Sequence, residues 1–516
     1  MGQRLYFLAN YSKMKEMICG YAGKGEPMQR GSGVLMAISS LPGRFGVGGL
    51  GTQAYAFVDA LQAAGQRYWQ ILPLTPVGPG ASPYQSVSAF AGDCQYIDFA
   101  LLQAEGMLSQ QELAECEAAF RPNDGRADYE AQVARPALLE KAFRRGWKSL
   151  RHEVADFREE NAHWLPQYAL YLAICEEQDG ALPPDWPAPL RERRPEALMA
   201  AGRRLRERVA YHEFIQYLFY RQWTALRRYA NAHGVAMIGD LPFYVAPGSA
   251  DIWAEPRWFD CSGNVAGCPP DYFSSQGQRW GNPLYNWQAL AEDGYGWWLR
   301  RIAYSRQLYD YLRIDHFRGF EAYYAIPAAA KTAAEGAWQP GPGMALFHRL
   351  REACGELPLI AEDLGTLTDS FFAFMAESGF PGLRVLQFAF TPEADSIYLP
   401  HHAVRNSVIY TGTHDNDTVR GWFAQAAPAE RAFVAEYLGP VDDGNIAEVL
   451  IRTAQATVCD VCIIPMQDWL GLGSEARMNR PGTVGGDNWR WRMADDAFDH
   501  ALQQRMLRMA HVFGRF

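Results

Sequence analysis

Eight short β-rich runs, each closed by polar or glycine residues, constrain the fold of this 516-residue chain more than any other feature. They occupy residues 34–38, 68–74, 236–241, 311–317, 358–363, 383–390, 407–413 and 458–465. Such runs stay apolar without strict alternation because parallel strands are buried on both faces. Amphipathic helical stretches, for example 53–64 and 211–232, lie between most of them. Eight strands alternating with helices predict an α/β chain closed into a (β/α)8 TIM barrel. With 48% apolar and 21% charged residues, the chain has ample material for a continuous core.

The gaps after the second and third runs are far too long for ordinary connections, so they read as insertions. The expected organisation is an N-terminal extension over 1–30, then a barrel over 31–516 that includes inserted subdomains at about 76–235 and 243–300. The first insertion carries charged helical segments, and the second is dense in Gly, Pro and aromatics with little helical period. Both leave from carboxyl ends of strands, the face on which barrels carry their chemistry, so both are expected to wall the active-site cleft.

A net charge of -10 argues against nucleic acid, whose phosphates dominate its affinity for proteins. Nine cysteines, an odd number scattered along the chain, fit reduced thiols and a cytoplasmic setting. Neither a signal peptide nor a membrane-spanning run is apparent. Aromatic residues reach 13%, and six tryptophans fall between Trp253 and Trp298. Flat apolar rings with polar tips suit the faces of sugars, although ordinary core packing uses them equally.

Four runs finish at or near an acid: Asp240, Asp315, Glu362 and Asp415. Carboxylates are seldom buried without partners, so four converging on one barrel mouth call for more than packing. Strand geometry sends Arg313 and Asp315 to the same side, and a fixed cation there would keep Asp315 ionised as a nucleophile. Glu362, with Asp363 next to it to disfavour ionisation, reads as the proton donor. Two such carboxyl groups on neighbouring strands, about 5 to 5.5 Å apart, make a retaining glycosidase pair. Asp415, with His316 and His414, reads as a group that grips sugar hydroxyls and favours an oxocarbenium-like transition state. His401 and His402 read as structural. Multi-histidine metal sets are missing, Cys459 and Cys462 form a lone Cys-x-x-Cys, and the glycine-rich 46–51 lacks a dinucleotide-binding context, so neither metal nor organic cofactor is expected.

An ordered set of motifs then becomes recognisable. It comprises Ser-Pro-Tyr-Gln-Ser-x-Ser-Ala-Phe-Ala-Gly (82–92), Gly-Asp-x-Pro (239–242), Pro-Pro-Asp-Tyr-Phe (269–273) and Gln-Arg-Trp-Gly-Asn-Pro (278–283). It continues through Arg-x-Asp-His-Phe-Arg-Gly-Phe (313–320), Ala-Glu-Asp-Leu-Gly (361–365), Thr-Gly-Thr-His-Asp-Asn (411–416) and Asn-x-Pro-Gly-Thr (479–483). From about Gly33 to Trp491 the chain resembles the 4-alpha-glucanotransferases, also called amylomaltases or disproportionating enzymes, of the alpha-amylase clan. The resemblance implies Asp315 as nucleophile, Glu362 as acid/base and Asp415 as transition-state stabiliser. It places Tyr84, Asp240, Arg313, His316 and His414 on the donor side, with Asn479 also binding substrate. Tyr272, Phe273, Gln278 and Trp280 fall on a flexible loop over the acceptor side. It further implies maltooligosaccharides and alpha-1,4-glucans as partners, no cofactor, and no C-terminal β-domain. Two departures stand out: residues 1–30 have no counterpart in compact members, and the usual Asn-Pro after Gly92 reads Asp93-Cys94. The alternatives are an alpha-1,4-glucan hydrolase with the same carboxylates and a catalytically inactive glucan-binding barrel.

Overall fold

The computed structural model describes residues 28–270, 276–365, 367–391 and 395–516. Eight strands close a barrel: β1 (Gly31–Leu35), β2 (Tyr68–Gln70), β3 (Ala236–Leu241), β4 (Tyr311–Ile314), β5 (Leu359–Ala361), β6 (Gly382–Val385), β7 (Ser407–Tyr410) and β8 (Val461–Pro465). Each pairs in parallel with its sequence neighbours, and β1 closes on β8 with Gly31 opposite Val461. β1, β7 and β8 are buried along their whole length, as strands covered on both faces must be. β3 needs a glycine, because a Cβ on Gly239 would lie 2.2 Å from the ring of Tyr309.

Several strands stop short of the predicted runs at their carboxyl ends. β4 ends at Ile314 because His316 takes a left-handed conformation with φ of 47°. β6 ends at Val385 because Leu386–Phe388 turns into a 3-10 helix. The acids therefore sit at or just beyond the ladder, on backbone free to turn toward the cleft.

Between β2 and β3 the chain forms a helical layer, dominated by Arg135–Glu160, Leu165–Glu177 and Arg206–Ala232. Its apolar faces share one hydrophobic core with the barrel. The segment after β3, read from the sequence as having little helical period, holds two antiparallel strands, Phe259–Cys268 and Gln278–Tyr285, and the helices Ala250–Ala254, Trp287–Glu292 and Gly296–Leu308. Two further strands between β4 and β5, Ala322–Pro327 and Ala337–Pro340, complete a four-stranded sheet with Gln278–Tyr285 at one edge and Ala337–Pro340 at the other. Most of the clustered tryptophans serve packing: Trp253, Trp258, Trp297 and Trp298 are at most 4% exposed. Trp280 is only partly buried.

Residues 1–27 of the predicted extension lie outside the described residues, whereas Arg30 is already docked on the barrel. Its guanidinium donates to the carbonyls of Cys459, Thr457 and Phe513. Among the described residues Cys94, Cys116, Cys175, Cys261, Cys459 and Cys462 are thiols outside any disulfide, and no helix is long and apolar enough to cross a membrane.

Candidate active site

Arg313, in β4, is the hub of the barrel mouth. Its side chain is 2% exposed, and Nη1 donates to both carboxylate oxygens of Asp240 in β3. Nη2 lies 3.1 Å from Asp315 and 3.0 Å from Glu362, so one nitrogen joins two acids carried just past neighbouring strands. Removing one partner from a buried ion pair costs about 3 to 5 kcal/mol, so this guanidinium orders the site and stabilises the barrel mouth together.

The geometry corrects one expectation, the part given to Asp363. From the sequence, Arg313 keeps Asp315 ionised and Asp363 keeps Glu362 protonated. In the structure, Asp363 turns away to accept from the Leu383 N–H at 2.6 Å and to pair with Arg384 at 3.2 Å. Glu362 instead accepts the backbone N–H of His316 at 2.6 Å. Although burial opposes it, Arg313 and this N–H hold the Glu362 carboxyl below the ordinary glutamate value. Burial, reinforced by the negative charge of Glu362, raises Asp315 well above the ordinary aspartate value. The two groups therefore titrate as one coupled pair.

Asp415 lies on the loop after β7 and is gripped from the loop after β8. Asn479 Nδ2 donates to its Oδ1 at 2.6 Å, and Arg477 donates to its backbone carbonyl at 2.8 Å. His414 Nε2 stands 3.5 Å from the same carboxylate. The Tyr84 ring stacks on His414 at 5.2 Å, and its hydroxyl donates to Asp240 at 2.7 Å, tying the loop after β2 to both β3 and the Asp415 loop. Burial and Asp240 keep the Tyr84 hydroxyl protonated and able to donate. Burial lowers His316 to about 4, so this imidazole is neutral near pH 7. Among the described residues its Nε2 has no hydrogen-bond partner.

These groups open on a cavity of about 410 Å³. Asp315, Glu362, Asp415, His316, His414, Tyr84 and Asn479 line it, whereas Asp240 and Arg313 support it from below. On the opposite side Gln278 and Trp280 line the same cavity, the indole meeting His316 edge-on at 4.9 Å and donating to Gln278 at 3.1 Å. Tyr272 and Phe273 lie outside the described residues. Four contributors escaped the sequence reading. Trp489 flanks Tyr84 and His414 at 5.7 and 5.9 Å, Arg477 braces Asp415, and Trp338 lines the cavity with Arg318 stacked on its ring at 4.1 Å. Arg477 and Trp489 flank the Asn-x-Pro-Gly-Thr motif, and Arg318 lies inside the motif that contains Asp315. Their positions were a signal that residue type alone did not interpret.

Comparison with known proteins agrees with this arrangement. The 4-alpha-glucanotransferase family profile matches residues 36–497. The chain is 45% identical to the 4-alpha-glucanotransferase of Streptococcus pneumoniae (strain R6), over 94% of this chain and 98% of the relative. It is also 45% identical to that of Thermus thermophilus, over 95% and 99%. An amylomaltase from Streptococcus agalactiae, solved in complex with acarbose, superposes with a TM-score of 0.91 at 39% identity, covering 94% of this chain and all of the other. The fold, the cleft and these similarities together establish that the chain belongs to the 4-alpha-glucanotransferase family.

Proposed function

We propose that this enzyme transfers alpha-1,4-glucan segments between maltooligosaccharides by a retaining double displacement on Asp315. The observation that carries the reading is the pairing of Asp315 and Glu362 on one guanidinium nitrogen. A donor glucan places its glycosidic oxygen against Glu362, which reacts protonated while Asp315 reacts as the carboxylate. Glu362 then protonates the leaving oxygen, the C1–O bond breaks, and an Asp315 oxygen bonds to C1. The departing glucan leaves with a free 4-hydroxyl. In the second step Glu362, now a carboxylate, takes the proton from the 4-hydroxyl of an acceptor glucan, whose oxygen displaces Asp315 from C1.

Asp415, held by Asn479, is positioned to bind sugar hydroxyls and stabilise positive charge on the ring in both steps. Gln278 and Trp280 form the acceptor side, where an apolar ring favours a sugar over water. Incubation with maltotriose followed by thin-layer chromatography tests the reading. Transfer gives a ladder of longer and shorter oligosaccharides; glucose and maltose alone would mean hydrolysis, and unchanged maltotriose would mean a binding protein.

A further inference from the structure

The Ser-Pro-Tyr-Gln-Ser turn contributes Tyr84 to the donor side, and its next residue reaches the other way. Gln85 Nε2 donates to the backbone carbonyl of Trp280 at 3.4 Å and to Asn282 Oδ1 at 2.9 Å. Asn282, 3% exposed, returns a contact from Nδ2 to Gln85 Oε1 at 3.4 Å and donates to the Val245 carbonyl, just past β3, at 2.8 Å. Residues 84 and 85 are consecutive, so the turn that fixes Tyr84 against Asp240 also fixes the backbone of the strand carrying Trp280. Trp280 in turn rests against His316, the residue after Asp315. The acceptor strand is an edge strand of its sheet, so Gln85 and Asn282 brace it on the side where ladder hydrogen bonds do not.

We propose that Gln85 is a positioning residue that couples the two sides of the cleft, holding Trp280 in register with a donor bound at Tyr84 so that a sugar rather than water reaches the glycosyl-enzyme. The inference rests on the proposed transferase reading. Gln85 acts through Trp280, so its loss should leave attack on the donor intact and selectively weaken acceptor capture.

The test uses the full-length enzyme with an alpha-glucosyl fluoride donor and maltose as acceptor. Fluoride release reports donor cleavage, and the ratio of free glucose to transfer product reports partition of the intermediate. In Gln85→Ala the ratio of hydrolysis to transfer is expected to rise about 3- to 10-fold, the scale of one neutral hydrogen bond, with fluoride release within about twofold of wild type. Gln85→Glu keeps the length and an acceptor for Asn282 but sets an oxygen against the Trp280 carbonyl, and should raise the ratio at least as far. Adding Gln85→Ala to Trp280→Ala should change the ratio no further, because the tie acts only through that ring.

An unchanged ratio in both Gln85 variants, with Trp280→Ala raising it, would overturn the coupling and leave the transferase reading standing. Parallel loss of fluoride release and transfer, with a lower Tm, would reduce Gln85 to a structural residue. Additive effects in the double variant would also overturn the proposal. If Trp280→Ala fails to raise the ratio, the acceptor-side reading itself falls.

Discussion

On the side proposed to hold the donor, Arg313, Asp240 and His414 are at most 5% exposed, and charged groups meet through hydrogen bonds as short as 2.5 Å. On the side proposed to receive the acceptor, Gln278 and Trp280 are only partly buried and sit on an edge strand of a small sheet. Aromatic contact dominates there, with the indole edge-on to a neutral imidazole. The contrast follows from the two tasks. Forming a glycosyl-enzyme needs charge fixed in advance of the reaction, because preorganised dipoles need not reorganise as charge develops. Choosing a sugar over water needs a surface that rewards contact area and excludes solvent.

The largest effect should come from the donor side. Asp315→Ala should abolish transfer, and Glu362→Gln should slow it about a hundred- to ten-thousand-fold on maltotriose. Given a glycosyl fluoride, whose leaving group needs no protonation, Glu362→Gln should still form an adduct on Asp315, visible by intact-mass spectrometry. An adduct elsewhere would break the assignment of roles.

A smaller effect sharpens the charge picture. Only the singly protonated pair has both a nucleophile and an acid. As pH falls through the lowered Glu362 value both groups become protonated and the nucleophile is lost. As pH rises through the raised Asp315 value both ionise and the acid is lost. The kcat/KM profile on maltotriose should therefore be bell-shaped, its acid limb below the ordinary glutamate range and its alkaline limb well above the ordinary aspartate range. With Glu362→Gln and a glycosyl fluoride the alkaline limb should vanish; its persistence would assign that limb to another group.

The smallest effect belongs to the acceptor side. Trp280→Ala should raise the ratio of hydrolysis to transfer several-fold while glycosyl-enzyme formation from the fluoride donor stays within about threefold, the scale on which aromatic contacts act. Equal loss of both rates would erase the distinction between the two sides.

The barrel and its acids were legible because their signals are local. Near-continuous apolar runs such as Val461–Pro465 mark strands by themselves, and Arg313 with Asp315 shares a face by strand geometry alone. The four-stranded sheet was not legible, since it pairs Phe259–Cys268 with Ala322–Pro327 across the whole of β4, and no local pattern announces such a partner. The surroundings of Glu362 were missed for a related reason. Adjacency in sequence suggested that Asp363 acts on Glu362, yet neighbouring side chains diverge, and Glu362 meets Arg313 and a backbone N–H from a residue in a left-handed turn instead. Gln85 lay inside a recognised motif, but its partners are remote in the chain and only the fold brings them together.

That small sheet also defines what evolution or an engineer can exchange. The strand Gln278–Tyr285, proposed to receive the acceptor, is hydrogen-bonded to Phe259–Cys268, which in turn leans on the hairpin that follows β4. Under that proposal, acceptor preference is not a cassette confined to one stretch of gene. A graft carrying residues 259–285 alone would strand an unpaired edge where Ala322–Pro327 belongs, an invitation to aggregate. The transferable unit is the pair of segments on either side of β4, with β4 and Asp315 between them as the part that has to stay.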